Sequence, residues 1–391
     1  PSGILVTPTS TPTGTTGVSI YNNSIYMSGI NAAYSPSSGW TGSACVMVDT
    51  LSGNIDMRNN AMRNDATGLA ATYTPYAIFV RGAGSPFTSL NYNVYYENTG
   101  APSQLFGRYN SVNFVDYTSW AASGVGEGSS SAYADPGFTS LSDLAIDASS
   151  PLAWNVNGMG TPISTVAVDF NGASRSTTVA TGSTDIGAYN VTPATAPPTA
   201  TASAAPAVNT TTTYTLNGRT IGSLAWGPGG TPPTSMDVTF YAGTNPPGAG
   251  AFPVGNGYWV FTATGGSGYS YDITINYDDA QLGTVSPESD LRLAKSDDGG
   301  ALYTPYLVAG TGAGEYELNT TANTIKVYGL TSFSTFAVTD NDNPLPVELS
   351  SFTSSIDKRK VTLNWSTATE QNNSGFDIER KSIGAGNSWS K

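Results

Sequence analysis

Histidine is missing from this 391-residue chain, and cysteine occurs once. The first absence removes the commonest general base and the commonest metal ligand together, and with them histidine triads, histidine–zinc sites and histidine-dependent hydrolases. The second rules out an intrachain disulfide, and Cys45, within the apolar run ACVMV, is expected to be a buried core thiol. Charge is sparse as well: 11% of residues are charged, and 15 Lys and Arg stand against 28 Asp and Glu for a net −13. Nucleic acid as a partner would need clustered Lys and Arg, so the balance argues against it. No run is long and apolar enough for a transmembrane helix, and no secretion signal is recognisable. No stretch of about 10–12 residues shows a 3.6-residue apolar period, so helix should be scarce.

What remains is rich in Gly (44), Pro (24), Ser, Thr and Asn. The apolar residues fall in short alternating runs, which predicts an all-β chain. Residues 1–191 carry an irregular repeat, VSIYNNSIYM, IDMRNNAMRN and LNYNVYYENTG, at a spacing of roughly 35 residues. Alternation places Ile20, Ile55, Met57, Ile78 and Val80 on one core. The pairs Asn22-Asn23 and Asn59-Asn60 suit stacked turns, because Asn tolerates left-handed backbone angles and its amide can bond to the coil above and below. The chain opens on Pro1 and its first residues already read as mid-repeat, so it is expected to be a processed or trimmed piece of a longer precursor.

Residues 192–213, TPATAPPTATASAAPAVNTTTT, are poor in large apolar groups and predict an extended spacer. From 214 to 340 short strands alternate cleanly, with SDDGG as a hairpin turn, and predict a β-sandwich. After a polar hinge at 341–346, residues 347–391 begin another sandwich, with Val361, Leu363 and Trp365 on one face and Phe376 and Ile378 following. Those 45 residues are at most half of a module that needs about 7 strands over ~100 residues. An incomplete module leaves an apolar face and a strand edge that something else must cover.

Several motifs resemble known families. LNYNVYY, DYTSWAAS, ADPGF, VDFNGASR and TDIGAYN, in that order, resemble the C-terminal coils of secreted right-handed parallel β-helix proteins of the pectate-lyase type. The resemblance implies a partial right-handed parallel β-helix, with DPGF and DIGAY closing its last turns. GYWVFT and GLTSFSTFAV resemble the β-sandwich that precedes the tail in bacterial surface proteins exported by the type IX route. LPVELSSFTSSIDKRKVTLNWSTATEQNNSGFDIER is similar to the fibronectin type III-like module before their sorting signals. The implied order is a partial β-helix, a β-sandwich and an incomplete fibronectin/Ig-like sandwich, at an extracellular or cell-surface location.

No constellation of residues commits to catalysis. Polysaccharide lyases need carboxylates that hold Ca²⁺ and a basic side chain that takes a proton, and glycosidases need two spaced carboxylates. Asp56, Arg58, Arg63 and Asp65 are the best candidates, with solvated salt bridges as the plainer reading. TDNDNP at 339–344 concentrates oxygen ligands for Ca²⁺ but lacks the spacing of a calcium loop, so the expectation is no cofactor. Sequons at Asn22, Asn190, Asn209, Asn319, Asn364 and Asn372, and Thr50 within DTL, are candidate glycosylation sites. The expected function is a structural subunit of a fibre or surface layer that polymerises head-to-tail with copies of itself. Val361, Leu363, Trp365, Phe376, Ile378 and Trp389 are the candidate contacts. The alternatives are a lyase-like enzyme and a non-polymerising adhesin that binds glycans.

Overall fold

The computed structural model describes residues 2–7, 17–31, 42–50, 52–68, 74–97, 105–248, 254–300, 303–340, 349–358, 360–367 and 378. The chain is predominantly β, and the one α-helix among these residues is Tyr117–Ala121.

Three times the chain runs through the same cycle of strands. Ser2–Val6, Gly42–Val48, Thr74–Val80 and Gly107–Tyr109 pair side by side in parallel. Val18–Tyr21, Ile55–Arg58 and Phe87–Asn91 make a second parallel sheet. Ser24–Met27, Ala61–Asn64, Val94–Glu97 and Ala132–Tyr133 make a third. Alternation works as the sequence implies: in Ile55–Arg58 the first and third side chains are buried and the other two half-exposed. Ile20, Ile55, Met57, Ile78, Val80 and Cys45 belong to one apolar core. Burial in that core pushes the Cys45 thiol well above its ordinary pKa. A fourth, abbreviated coil closes the stack, and within it Asp116 caps the short helix that inserts the fully buried Trp120.

Asparagine holds the coils in register. Asn22 and Asn59 sit at the corner between the second and third sheets with φ of 52° and 60°. One residue further on, the side chains form a ladder: Asn23 N–H donates to Asn60 Oδ1 at 3.0 Å, and Asn60 N–H donates to Asn93 Oδ1 at 3.0 Å. Asn93 N–H in turn donates to Ser131 Oγ at 3.0 Å. Each amide satisfies a backbone group that the turn removes from the sheet ladder.

The segment after the coils departs from expectation. DIGAY does not close the last turn; it returns to the corner of the first two coils. Gly187 N–H donates to Asn59 O at 2.8 Å and Ala188 N–H to Ser24 Oγ at 2.9 Å. The Asn22 amide donates to Asp185 O at 3.1 Å, and Asn59 exchanges bonds of 2.7 and 3.0 Å with the backbone of Thr161. ADPGF lies against the third sheet, where Asp135 pairs with Arg63 of the second coil. The physical reason is that left-handed corners turn polar groups outward, and a docked backbone segment satisfies them.

From Thr211 onward two antiparallel sheets face one another. One orders Thr201–Ala202, Thr211–Leu216, Arg219–Trp226, Tyr271–Asn276, Thr324–Leu330 and Tyr316–Asn319; the other orders Ser235–Ala242, Val254–Thr264, Thr335–Asp340, Leu291–Ser296 and Thr304–Pro305. Alternate residues such as Tyr271, Ile273 and Ile275 from the first and Val238, Trp259 and Phe336 from the second share one core. Gly299 and Gly300, both at positive φ, turn the chain after Leu291–Ser296, as SDDGG implies.

Residues 192–213 are not a free spacer. Ala194 N–H donates to Ala148 O, Ala200 N–H to Val238 O, and Trp154 Nε1 to Thr195 O, each at 2.8 Å. Thr201–Ala202 pairs with Thr211–Leu216. The segment lacks a core of its own, but its backbone groups are taken up by the bodies on either side. The last described element is the antiparallel hairpin Leu349–Asp357 and Lys360–Thr367. Residues 341–346, expected as a hinge, lie outside the described residues.

Candidate functional site

Cross-strand register decides which side chains the final hairpin shows. Phe352 lies opposite Trp365, Ser354 opposite Leu363 and Ile356 opposite Val361, so these six share one face. The other face carries Thr353, Ser355, Thr362 and Asn364. Phe352 is 62% exposed, Ile356 76%, Val361 59% and Trp365 36%. Monomeric soluble proteins rarely keep such side chains together in water. Of the sequence-derived contacts, Val361, Leu363 and Trp365 thus fall on one surface, and Ile378 is exposed at 52%. Phe376 and Trp389 lie outside the described residues. Phe352 and Ile356 were not among the expected contacts, although their i, i+4 spacing on an extended strand already places them on one face.

The first parallel sheet ends, among the described residues, on an edge strand. Among the described residues, Ser2–Val6 has one strand neighbour, as do Val18–Tyr21 and Ser24–Met27 in their own sheets. All three edges belong to the first coil. Its interior residues Ile4, Val18 and Met27 are only partly buried, whereas Ile55, Met57 and Met62 of the second coil are fully buried.

The charged residues proposed for chemistry neutralise one another. Arg58 clasps Asp56 through Nε at 2.7 Å and Nη2 at 2.6 Å, and Tyr21 Oη donates to the same carboxylate at 2.6 Å. Arg63 pairs with both Asp65 and Asp135, and its guanidinium lies 5.1 Å from the Tyr26 ring and 5.2 Å from the Tyr96 ring. Hydrogen bonding to Asp56 raises the Arg58 pKa; at Arg63 burial works against the charge, and the two carboxylates overcome it. An arginine so held does not take a proton from a substrate. Thr339 and Asp340 of TDNDNP are buried in the strand Thr335–Asp340, and the rest of that motif lies outside the described residues.

The glycosylation candidates divide by environment. Thr50, Asn209 and Asn364 are exposed. Asn190 donates to Ser174 O at 2.9 Å, and Asn319 caps the turn at Thr321 and Ala322. Asn22 is corrected: it is 8% exposed and its amide is committed to Asp185 O and Gly187 O, so no glycan can be attached without dismantling the corner. Asn372 lies outside the described residues.

Sequence reasoning missed a cluster between the coil stack and the two antiparallel sheets. Asp278, within the turn-like run YDDAQLG, is 7% exposed in its side chain; it pairs with Arg219 at 3.0 Å and accepts from Tyr92 Oη at 2.7 Å. Tyr92 occupies the third coil at the corner where the other two carry Asn22 and Asn59, and it shares their positive φ. Beside this cluster opens a cleft of about 770 Å³. Glu127, on the cleft wall, accepts from Trp120 Nε1 at 2.8 Å and Tyr95 Oη at 3.0 Å through Oε2, while its buried Oε1 has no partner among the described residues. Burial pushes its carboxyl up to about 7. Glu97, bonded by Tyr133 Oη at 3.2 Å, is likewise pushed up to about 7 by burial. No three His, Cys, Asp or Glu side chains among the described residues are grouped to hold a metal ion, and none of their helices is long and apolar enough to cross a membrane.

The fold and its surfaces define a predominantly β protein with an exposed apolar hairpin face and a polar cleft. No protein family, curated protein or solved structure matches this chain.

Proposed function

We propose that this protein is a non-catalytic structural subunit of an extracellular fibre or surface layer, in which one copy's hairpin Leu349–Thr367 is covered by the next copy. In this reading residues 1–191 are coils of a right-handed parallel β-helix, 214–340 a β-sandwich and 347–391 strands of a fibronectin-like module. The observation that carries it is the hairpin face of Phe352, Ile356, Val361, Leu363 and Trp365, backed by a polar face. Burying such side chains is worth roughly 1.5–3 kcal/mol each, before the cost of association.

Charge supports a second copy as the occupant. Residues 347–391 hold six basic residues and five acids, a net +1, whereas the rest holds nine basic residues and 23 acids, a net −14. A weakly basic tail meeting an acidic body joins unlike surfaces, and head-to-tail contacts of that kind build filaments wherever their rotation does not close a ring.

The test is sedimentation and negative-stain microscopy of the purified chain over a rising concentration series. Wild type should form polymers that weaken at high salt. Ile356→Asp and Val361→Asp, on an exposed face, should stay folded and monodisperse. A wild type that remains monomeric throughout, or aspartate variants that polymerise as well as wild type, overturns the reading.

A further inference from the structure

The geometry points to the cleft between the coil stack and the two antiparallel sheets as a binding site for a neutral oligosaccharide. Its volume of about 770 Å³ lies within the roughly 300–1,000 Å³ usual for small-ligand sites, and it is open to solvent. It is made by both bodies. One wall runs from Tyr117 to Ser131 at the end of the coils, and the other from Leu216 to Ile221, Asn276 to Asp279 and Thr320 to Asn323.

The chemistry of the walls selects the ligand class. The hydroxyls of Ser129, Thr220, Thr320 and Thr321 and the amide of Asn276 line the cleft, and none makes a side-chain hydrogen bond to another described residue. Together they are a set of uncommitted donors and acceptors of the type that pairs with sugar hydroxyls. Tyr117 stands on the coil-side wall, half-buried, its ring packed against Tyr95 and Phe106 and its hydroxyl donating to Ser131 O at 3.0 Å, so that wall is held rigid.

Charge excludes an acidic sugar. Among the described lining residues Arg219 is the only cation, and it is spent on Asp278 at 3.0 Å. Asp279 adds an acid whose carboxylate accepts from the Asn323 amide at 2.6 Å. A uronate would meet carboxylates and no available cation, whereas an uncharged saccharide meets no such cost. The site does not depend on self-association, because every lining residue belongs to a single copy.

Isothermal titration with cellohexaose, mannohexaose and hexagalacturonate tests the assignment. Ser129→Trp and Thr321→Trp fill the cleft from opposite walls, and both start from exposed positions, so the fold should persist and is checked by thermal melting. At least one neutral hexasaccharide should bind wild type, each tryptophan variant should weaken it at least tenfold, and hexagalacturonate should bind at least tenfold more weakly. The proposal is overturned if neither neutral probe binds, if both variants bind like wild type, or if the acidic hexamer binds equally well. The polymer reading stands or falls separately, since Ile356→Asp leaves the cleft untouched.

Discussion

Removing the Asn60 side chain tests whether the asparagine ladder holds the coils together. Asn60 is fully buried, donates through Nδ2 to Ile20 O at 2.8 Å and to Asn93 Oδ1 at 2.9 Å, and accepts from Asn23 N–H at 3.0 Å. In Asn60→Ala, Asn93 Oδ1 keeps the backbone N–H of residue 60, so that acceptor is not orphaned. Asn23 N–H loses its acceptor outright, whereas Ile20 O and Arg58 O lose the Asn60 amide but keep a backbone donor from the paired strands. At roughly 1–3 kcal/mol for the orphaned donor and about 0.5–1.5 kcal/mol for each of the two other bonds, the variant should be less stable by about 2–6 kcal/mol. Urea unfolding followed by tryptophan fluorescence reads this directly as a lower midpoint. Asn171→Ala, at an exposed residue, is the control and should stay within ~0.5 kcal/mol of wild type. Asn93→Ala should cost a similar amount to Asn60→Ala, and the double variant should lose less than the two combined, because the pair share two bonds. If Asn60→Ala behaves like the Asn171 control, the ladder contributes nothing and register is set by apolar packing alone.

Two further outcomes follow from the same interior. The carboxyls of Glu127 and Glu97 are raised by burial to about 7, above their unfolded values, so the folded state holds their protons more tightly. Stability from these groups is therefore greatest below about pH 4.5 and falls as pH rises towards 7, by up to about 3 kcal/mol per group; thermal melts across that range should show the decline, and Glu127→Gln and Glu97→Gln should each flatten it. A profile identical to wild type in both variants refutes the assignment. Gly107→Ala would place a Cβ 2.7 Å from the Trp120 ring and 3.2 Å from Ile78 O. Trp120 is tethered to Glu127 and cannot withdraw freely, so overpacking should cost about 1–3 kcal/mol, read as a lower melting temperature.

Much of the coil stack was legible because its signals are local. Period-two alternation put Ile55 and Met57 inside and Asp56 and Arg58 outside, and Asn22 and Asn59 adopt the left-handed corner that their amide chemistry permits. Parallel pairing was legible through the repeat alone, since a strand shows nothing of its neighbour's direction. The rest was hidden because it depends on distance along the chain. Asp185 and Gly187 reach Asn22 across more than 160 residues, and nothing within DIGAY announces that destination. Asp278 read as a turn because its turn role is real: it caps Ala280 N–H at 3.0 Å through Oδ1, and that same oxygen accepts from Tyr92 186 residues away. Composition also misled at 192–213, where a segment without apolar bulk is ordered by the surfaces it crosses.

That ordering changes what the break in composition near residue 191 means. Ala61, Val94, Ala132, Val156 and Ile186 from the first half share a single core with Trp226, Phe240 and Trp259 from the second. Across the same boundary Asn157 Nδ2 donates to Ala242 O at 2.8 Å, Asn217 Nδ2 to Asn155 Oδ1 at 2.6 Å and Ser183 Oγ to Asn256 Oδ1 at 2.7 Å. Gly158 and Gly243 meet backbone to backbone, both at positive φ; a Cβ on Gly158 would lie 2.2 Å from the Gly243 Cα, so the approach requires glycine. A boundary between independent domains falls where few contacts cross, and here the contacts crossing are apolar, polar and steric at once. The coil stack and the two antiparallel sheets therefore behave as one body, with the Pro- and Thr-rich segment as a strap over their junction. The cleft owes its shape to that junction, because Tyr92 of the coils donates to Asp278, which Arg219 steadies within the antiparallel sheets, and so ties one wall to the other.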